Sequence, residues 1–232
     1  MNRRVLITGA TRGLGLHLAE HYLSAGDTVI GCGRGAAAID HPGYSHHRLD
    51  VSIEPDVAAM MSAIRADHAG LDVLINNAGA AAMNAFALTP PATARRIIDT
   101  NVIGPMLLTH GAIRLLRGSK AARIVNITTI AVPLRLAGEA VYAASKGALE
   151  IFTRVLAHEV GAMGITCNAV GPSIVRTRLT EGIPEDKRKR LLAAQAVPHE
   201  ATGADVANVV DFFLRPESRM VTGQVVYLGG FG

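Results

Sequence analysis

The sequence predicts a doubly wound α/β domain, in which a mostly parallel sheet carries helices on both faces. The main observation is alternation: short apolar runs rich in β-branched residues are followed by longer stretches with helical periodicity. Hydrophobic residues make up 49% of the 232 residues and charged residues 18%, so the chain can bury a large core. No repeat or linker divides it, and we therefore expect one domain spanning residues 1–232.

Six short runs are predicted to be buried strands because they are almost continuously apolar. A parallel sheet that is covered on both faces requires such runs, since neither side of its strands meets water. The predicted strands are residues 4–8, 28–32, 71–75, 123–127, 165–170 and 224–228.

Five longer stretches between these strands have the periodicity of amphipathic helices. Strands and helices that alternate in this way form right-handed crossovers, which place helices on both faces of the sheet. The predicted helices are residues 14–24, 55–67, 93–116, 140–162 and 204–214.

Two stretches interrupt the alternation. Residues 35–45 are too short and too rich in Gly, Pro and Asp to hold a full crossover helix. Residues 173–202 form a long insertion after the carboxyl end of a strand. Ligands bind at that edge of open α/β sheets, so we expect a substrate lid over residues 173–202.

Composition excludes several classes of protein. The two cysteines, Cys32 and Cys167, are too few for a disulfide framework or a metal cage, and we expect both in the core. No secretion signal and no membrane-length apolar run is apparent, which predicts a cytoplasmic protein that does not bind membranes. The net charge of +4 does not require a nucleic-acid partner. The dense basic run at residues 187–190 is interpreted as a solvated helix face, with an acidic partner as the alternative.

A glycine-rich turn follows the first strand, in Thr8-Gly9-Ala10-Thr11-Arg12-Gly13-Leu14-Gly15. Glycines at such a turn supply permissive backbone angles, allow the backbone to approach a pyrophosphate, and let the next helix pack closely on the strand. The position of this turn between a buried strand and an amphipathic helix favours a phosphate-binding site over a purely structural turn.

The spacing of these glycines, G-x-x-x-G-x-G, resembles that of the short-chain dehydrogenase/reductase family. The resemblance covers residues 3–231 and implies a single Rossmann-type domain with a mostly parallel seven-stranded sheet. Four further motifs carry it in the same order: Asn76-Asn77-Ala78-Gly79, Asn101, Tyr142-Ala143-Ala144-Ser145-Lys146, and Met220-Val221-Thr222-Gly223-Gln224.

The resemblance implies a nicotinamide dinucleotide, and two arginines favour NADP(H). Sites that prefer NAD place an acid about 20 residues after the glycines, whereas this chain has Arg34 at the end of the second strand. Arg12 lies within the turn itself. Two guanidinium groups can bind a 2′-phosphate with charge-assisted hydrogen bonds. The alternative is that Arg34 is a solvated loop charge.

The resemblance also assigns residues to the other parts of the cofactor. Asp50 and Val51 would contact the adenine, unless Asp50 only begins the next helix, and Asn77 would line the ribose. Thr177 and Val175 would bind the nicotinamide amide. The predicted cofactor-binding residues are Gly9, Thr11, Arg12, Gly13, Leu14, Gly15, Arg34, Asp50, Val51, Asn77, Ala78, Gly79, Tyr142, Lys146, Pro172, Val175 and Thr177.

Tyr142 and Lys146 are one helical turn apart, so their side chains share a face. A nearby ammonium favours the phenolate, and we therefore expect Lys146 to lower the tyrosine pKa. Such pairs are usually structural when they occur alone. The resemblance implies that Tyr142 donates a proton to a carbonyl oxygen and that Lys146 also binds the nicotinamide ribose.

Two more catalytic residues follow from the resemblance. Thr129 stands where the family usually has a serine; it keeps the hydroxyl donor, but its methyl group is stiff and occupies substrate space. Thr128 is the alternative hydroxyl, although strand alternation points it to the other face. Asn101 matches a helix asparagine whose backbone carbonyl holds a water in the proton relay to the lysine. A plain buried polar residue is the alternative for Asn101.

The predicted function is NADPH-dependent reduction of a carbonyl group. Among relatives the chain looks most like β-ketoacyl-acyl-carrier-protein reductases and polyketide ketoreductases, so the substrate is a small molecule or is bound to a carrier protein. The alternatives are a dehydrogenase or reductase of another small alcohol, sugar or steroid, and a cofactor-sensing or scaffold protein. The expected pocket residues are apolar: Val132, Leu134, Leu136 and Leu179.

The resemblance further implies a homodimer or homotetramer. In the family the two long helices, here residues 93–116 and 140–162, pack against their symmetry mates. Small residues such as Ala143, Ala144 and Gly147 would permit close approach of these helices.

Overall fold

A seven-stranded, fully parallel sheet forms the centre of the protein. The computed structural model describes residues 2–177 and 180–230. The strand order is β3-β2-β1-β4-β5-β6-β7, and each neighbouring pair is parallel. The strands are β1 (Arg4–Thr8), β2 (Thr28–Gly33), β3 (Tyr44–Arg48), β4 (Val73–Asn76), β5 (Arg123–Ile127), β6 (Thr166–Gly171) and β7 (Val225–Tyr227).

Helices cover both faces of this sheet, as the alternation predicted. Proline occupies the first turn of α2 and of α3, a position where its missing N–H costs no helical hydrogen bond. The helices are α1 (Gly13–Ser24), α2 (Glu54–His68), α3 (Pro91–Ile98), α4 (Gly104–Leu116), α5 (Ala131–Leu134), α6 (Ala140–Val160), α7 (Glu185–Ala193) and α8 (Gly203–Leu214). None of the helices within the described residues has the length and apolarity needed to cross a membrane.

Two hydrophobic cores lie on opposite faces of the sheet. Alternate residues of one strand enter different cores, since Leu6 packs with α2, α4 and α6 whereas Val5 and Ile7 pack with α1 and α8. Cys32 and Cys167 are both buried and unpaired in the first core, as expected for small hydrophobic residues. The doubly wound fold is therefore confirmed.

The hydrophobic pattern did not locate β3, because this edge strand is polar. Its sequence is Tyr-Ser-His-His-Arg, and it pairs along one edge only, with β2. Gly31 of β2 leaves space that the ring of Tyr44 fills; a Cβ at Gly31 would lie 2.0 Å from the tyrosine hydroxyl oxygen. As predicted, no full crossover helix separates β2 from β3.

The stretch predicted as one long helix, residues 93–116, is divided. A five-residue π-helix, Asp99–Ile103, joins α3 to α4. The insertion at residues 173–202 contains α7, and an isolated bridge between Val175 and Ala201 holds its two ends together. The insertion is thus tied down close to the carboxyl end of β6.

Candidate active site

A cavity of about 680 Å³ opens at the carboxyl ends of the strands, beside the point where the sheet order reverses between β1 and β4. Every residue predicted to bind the cofactor lines it, although these residues come from separate segments of the chain. They are Gly9, Thr11, Arg12, Gly13, Leu14, Gly15, Arg34, Asp50, Val51, Asn77, Ala78, Gly79, Tyr142, Lys146, Pro172, Val175 and Thr177.

The glycine turn at one wall of the cavity depends on its glycines. Gly9 and Gly13 have φ of +70° and +56°, a region that side chains with a Cβ rarely adopt. A Cβ at Gly15 would lie 2.3 Å from the carbonyl oxygen of Gly9 and 2.4 Å from Asn77 Nδ2. No side chain therefore covers the backbone where a pyrophosphate would meet the beginning of α1. The turn thus fits a dinucleotide.

Three hydrogen bonds hold this turn against the end of β4. The side chain of Asn77 donates to the carbonyl oxygen of Thr8 at 2.8 Å. In return, Thr8 Oγ1 accepts hydrogen bonds from the backbone N–H groups of Asn77 and Ala78 at 3.0 and 2.9 Å. Asn77 thus stabilises the cavity wall in addition to lining it.

The basic end of the cavity carries the two predicted arginines. The side chain of Arg34 is 67% exposed, and its Nη1 lies 3.9 Å from Asp50 Oδ2. Arg12 is also exposed. Asp50 Oδ1 accepts hydrogen bonds from the backbone N–H and the hydroxyl of Ser52. Asp50 therefore lines the cavity and also organises the turn before α2, while its contact with the adenine stays a prediction.

Tyr142 and Lys146 lie on the first half of α6 and face the cavity together. Lys146 is almost fully buried, and its Nζ donates a hydrogen bond to the carbonyl oxygen of Ile127 at 2.7 Å. Burial lowers the pKa of Lys146 to about 8, although the nearby Glu150 raises it. Burial also raises the pKa of Tyr142 to about 12, although a hydrogen bond with Thr129 lowers it.

The tyrosine pKa is therefore raised in the protein itself, opposite to the lowered value expected from the neighbouring Lys146. Spacing along a helix determines which side chains are neighbours, but desolvation by the surrounding chain decides the sign here. With a pKa of about 12, Tyr142 keeps its proton at neutral pH. The Tyr142 hydroxyl therefore carries a proton that it can donate in a hydrogen bond.

The two threonines after β5 have different partners. Thr129 Oγ1 accepts a hydrogen bond from the backbone N–H of Ala131 at 3.2 Å, and its side chain lies beside Tyr142. Thr128 Oγ1 donates to Glu150 Oε1 at 2.6 Å, so its hydroxyl is held on the side of α6 and β7. The geometry favours Thr129 as the hydroxyl that faces a substrate.

Asn101 does not line the cavity. It lies in the π-helix, fully buried, where its Oδ1 accepts from the N–H of Ala80 and its Nδ2 donates to the carbonyl of Ala80, both at 2.8 Å. Nδ2 also donates to Ser145 Oγ at 2.9 Å. The side chain therefore joins the loop after β4 to α6. The predicted role of its backbone carbonyl in a water relay stays a prediction.

A second, smaller cavity of about 70 Å³ adjoins the large one, and Thr129 and Tyr142 line both. Its walls are mainly apolar. Leu136 is the one expected pocket residue of residues 2–177 that contributes, whereas Val132 and Leu134 do not; Leu179 lies outside the described residues. The remaining lining residues are Ala81, Ala82, Met83, Ile130, Ala131, Glu139, Ser173, Ile174, Thr180, Ile183 and Leu191.

Sequence reasoning missed the one carboxyl group of this smaller cavity. Glu139 is 6% exposed and pairs with Lys187 Nζ at 3.6 Å. Burial raises the pKa of Glu139, although Lys187 lowers it. The lone acid immediately before α6 could have been noticed, but its burial against α7 depends on the folding of the insertion.

The basic run on α7 is only partly a solvated face. Arg188 is 12% exposed and its Nη1 lies 3.0 Å from Glu200 Oε1, while Lys187 reaches Glu139. Arg190 pairs with Asp186 one turn earlier. The run therefore holds the insertion together, and the expectation of full solvation is correct only for its second half.

Other lining residues of the large cavity were not among the residues predicted to bind the cofactor. Most of them lie at or just after strand ends, where a parallel sheet places its ligand contacts, and that position is the signal that could have found them; Thr100 lies in the π-helix and Thr180 in the insertion. They are Gly33, Gly35, Leu49, Ala80, Thr100, Ile127, Thr128, Ser173 and Thr180.

Comparisons with known proteins agree with this geometry. A family model described as enoyl-(acyl carrier protein) reductase matches residues 9–231. The 3-oxoacyl-(acyl-carrier-protein) reductase FabG of Escherichia coli K12 is 31% identical over 231 residues, which cover 97% of this chain and 95% of the relative. FabG of Pseudomonas aeruginosa is 32% identical over 235 residues, with the same coverage.

A solved structure is also similar over its whole length. Ligand-free aldohexose dehydrogenase of Thermoplasma acidophilum matches with a TM-score of 0.90 and 26% identity, and the match covers 99% of this chain and 93% of that one. The fold and the family matches therefore point the same way. The chain belongs to the short-chain dehydrogenase/reductase family, a family of oxidoreductases whose members typically use a nicotinamide cofactor.

Proposed function

We propose that the protein is an NADPH-dependent reductase that converts a small carbonyl group, such as that of a β-ketoacyl thioester, to a hydroxyl. The observation that carries the proposal is the position of Tyr142 and Thr129, which line both the large cavity and the small one. A dinucleotide in the large cavity and a carbonyl in the small cavity would meet at these two hydroxyl groups.

Three residues of the site have different roles in the reduction. Tyr142, protonated at neutral pH because burial raises its pKa to about 12, donates a proton to the substrate oxygen. Thr129 polarises the same oxygen with its hydroxyl. A bound reduced nicotinamide would supply the hydride. Lys146 binds the ribose hydroxyls and stabilises negative charge as it develops on Tyr142.

The preference for NADPH rests on Arg12 and Arg34 at the basic end of the large cavity. Both are exposed and can turn toward a 2′-phosphate, Arg34 by leaving its 3.9 Å contact with Asp50 Oδ2, whereas a ribose hydroxyl would gain little from two guanidinium groups. Asp50, the acid beside Arg34, is already held by Ser52. The cavity therefore suits a phosphorylated adenosine better than an unphosphorylated one.

The small cavity supports a short acyl substrate over a polyhydroxylated one. Its walls are mostly methyl and methylene groups, and Glu139 is neutralised by Lys187. The FabG relatives are named for 3-oxoacyl groups on a carrier protein, and the Thermoplasma enzyme for an aldohexose. A sugar dehydrogenase is the second candidate, but a sugar would leave several hydroxyl groups without partners in this cavity.

Absorbance of the reduced cofactor tests the proposal directly. A short β-ketoacyl thioester is offered with NADPH or NADH, and Tyr142→Phe is compared with Tyr22→Phe, a buried tyrosine of α1 on the other face of the sheet. We expect NADPH-selective turnover that only Tyr142→Phe abolishes, with NADPH binding retained. Turnover that survives in Tyr142→Phe contradicts the mechanism. Bound NADPH without turnover on any carbonyl favours the cofactor-sensing alternative.

The insertion at residues 173–202 is proposed to act as the substrate lid, because Ile174, Ile183 and Leu191 from it line the small cavity. An acidic carrier protein would dock on the exposed residues of this insertion. Lys189 is exposed, and the described residues include no acid that pairs with it. Lys189→Glu should raise KM for a carrier-bound substrate but not for a thioester without a carrier; equal KM values exclude the docking role.

A homodimer or homotetramer is proposed from the outer faces of α4 and α6. Ile151 and Val155 are 58% and 53% exposed on α6, and Met106 is 36% exposed on α4. Apolar groups at this spacing suit a helix-to-helix interface between copies. Light scattering after size exclusion should give two or four chains, and Ile151→Glu should reduce that number; a wild-type monomer excludes the proposal. A cytoplasmic location stays a prediction.

A further inference from the structure

A buried carboxylate lies one helical turn beyond Lys146 and has no place in the mechanism above. Glu150 is 5% exposed and lies in the middle of α6, on its buried face. Thr128 Oγ1 donates to its Oε1 at 2.6 Å, and Tyr227 Oη donates to its Oε2 at 2.7 Å. Both oxygens of the group thus accept hydrogen bonds from hydroxyl donors.

The first of these hydrogen bonds comes from the same stretch of chain, at the end of β5, that accepts a hydrogen bond from Lys146. Lys146 Nζ donates to the carbonyl oxygen of Ile127, and the next residue, Thr128, donates to Glu150. Thr129 follows directly with the hydroxyl that faces the substrate cavity. Glu150 therefore anchors the end of β5 from the helix side, one residue before a proposed catalytic group.

The carboxylate also fastens β7 to this region. Tyr227 lies on β7, and a Cβ at Gly171 of β6 would lie 2.3 Å from its ring carbon Cδ1, so the ring has a closely fitted place. From there its hydroxyl reaches Glu150 at 2.7 Å. Three elements, α6, β5 and β7, thus meet at one carboxyl group beneath Lys146.

We propose that Glu150 is a positioning residue for the reductase site, which keeps Lys146 in its ammonium form and holds the β5 end so that Thr129 faces the substrate. The inference rests on the proposed function of Lys146 and Thr129. A buried ammonium is costly unless an opposite charge is close by, and residues four apart on a helix are neighbours. Glu150 makes no direct ion pair with Lys146 among the described residues, but its charge lies one turn away on the same helix and opposes the effect of burial on the lysine pKa.

The surroundings provide Lys146 with little other charge. On α6 the titratable neighbours are Tyr142 toward the cavity and Glu150 on the other side. The end of β5 contributes the carbonyl group of Ile127 and the hydroxyl group of Thr128. The π-helix contributes the side-chain amide of Asn101. Its Oδ1 and Lys146 Nζ each lie 3.6 Å from the position that a Cβ would take at Gly79. Near Glu150, Tyr227 of β7 is also titratable. Besides Glu150, the charged group that affects the pKa of Tyr227 is Arg154 of α6, which lowers it.

The chain offers a direct way to observe this lysine, because it contains only four: Lys120, Lys146, Lys187 and Lys189. Protein labelled with [ε-¹³C]lysine therefore gives four NMR signals, and the signal lost in Lys146→Arg identifies Lys146. Its titration midpoint in the wild type is expected near pH 8. This measurement needs neither substrate nor turnover, so it separates failure of this inference from failure of the proposed reductase activity.

Glu150→Gln keeps the size and hydrogen-bonding capacity of the side chain and removes its charge. We expect the Lys146 midpoint to fall by about one pH unit, as loss of a close opposite charge predicts. Glu159→Gln, the same change at an exposed position of α6, should leave it unchanged. An unchanged midpoint in Glu150→Gln, or an equal fall in Glu159→Gln, overturns the electrostatic role.

Three further variants complete the test. If Glu150→Gln does not fold, the matched pair Glu150→Asp and Glu150→Asn repeats the comparison, and equal Lys146 midpoints in the pair overturn the proposal. Thr128→Val removes the anchor of β5 but leaves the charge in place. It should lower kcat several-fold with KM for NADPH and the Lys146 midpoint unchanged, whereas an unaltered kcat overturns the positioning role.

Discussion

Substitution of Gly15 by alanine tests the close approach of α1 to the glycine turn. The added Cβ would lie 2.3 Å from the carbonyl oxygen of Gly9, about 1 Å inside ordinary contact, and 2.4 Å from Asn77 Nδ2. Neither group can yield easily. The N–H of Gly9 is bound to Cys32 O at 2.8 Å, and Asn77 is bound to Thr8 on both its backbone and side chain.

The start of α1 must therefore move away from β1. Overpacking of this kind costs about 1–3 kcal/mol. For a chain of this length each kcal/mol lowers Tm by roughly 2–4 °C, so we expect a fall of about 2–12 °C. The same movement displaces the backbone N–H groups that would bind the pyrophosphate. We expect the Kd for NADPH to rise at least about tenfold, which corresponds to ~1.4 kcal/mol of binding free energy.

Thermal unfolding and calorimetric titration with NADPH measure the two effects. Gly161→Ala is the matched control, because Gly161 has φ of −56° and no atom within 4 Å of its Cβ position. It should leave NADPH binding unchanged and stabilise the fold by about 0.4–1 kcal/mol. A Gly15→Ala protein with the Tm and Kd of the wild type would refute the argument from close packing.

Three further predictions concern the chemistry of the site. Because Lys146 has a pKa of about 8, its ammonium is present below that pH and lost above it; the rate of reduction should fall as pH rises through about 8, and a flat pH–rate profile from about pH 7 to about pH 9 contradicts this. Arg34→Ala should raise the Kd for NADPH about tenfold or more and leave the Kd for NADH unchanged. Arg65→Ala, at an exposed position of α2, should change neither Kd. Equal effects of Arg34→Ala on both cofactors would exclude a 2′-phosphate contact. Thr129→Ser should retain turnover, whereas the isosteric Thr129→Val should lose about a hundredfold in kcat; similar kcat values in these two variants would remove the hydroxyl from the mechanism.

Local sequence determined much of this protein. The strands of the sheet interior are apolar runs, and the helices between them have a period of 3.6 residues, so both could be predicted without knowledge of tertiary contacts. The glycine turn could also be recognised, because a positive φ such as that of Gly9 depends on the residue type at a single position. The spacing of Tyr142 and Lys146 likewise follows from helix geometry alone.

Features that depend on distant segments could not be obtained in this way. The polar edge strand β3 has no apolar pattern of its own, and it is defined only by its pairing with β2. Asn101 was predicted in the correct element, but its side-chain bonds to Ala80 and Ser145 require three segments to be packed together. The same is true of Glu139, whose ion-pair partner is 48 residues away along the chain, at Lys187.

The sign of the tyrosine pKa shift is the clearest example of a property that only the tertiary structure decided. The sequence by itself placed an ammonium next to the phenol and so favoured a lowered value. Folding surrounds Tyr142 with β5, α5 and the insertion, and burial then raises its pKa to about 12. Order along the chain determines which groups are neighbours, whereas the exclusion of water depends on residues far apart in the sequence, and at this site it is the stronger effect.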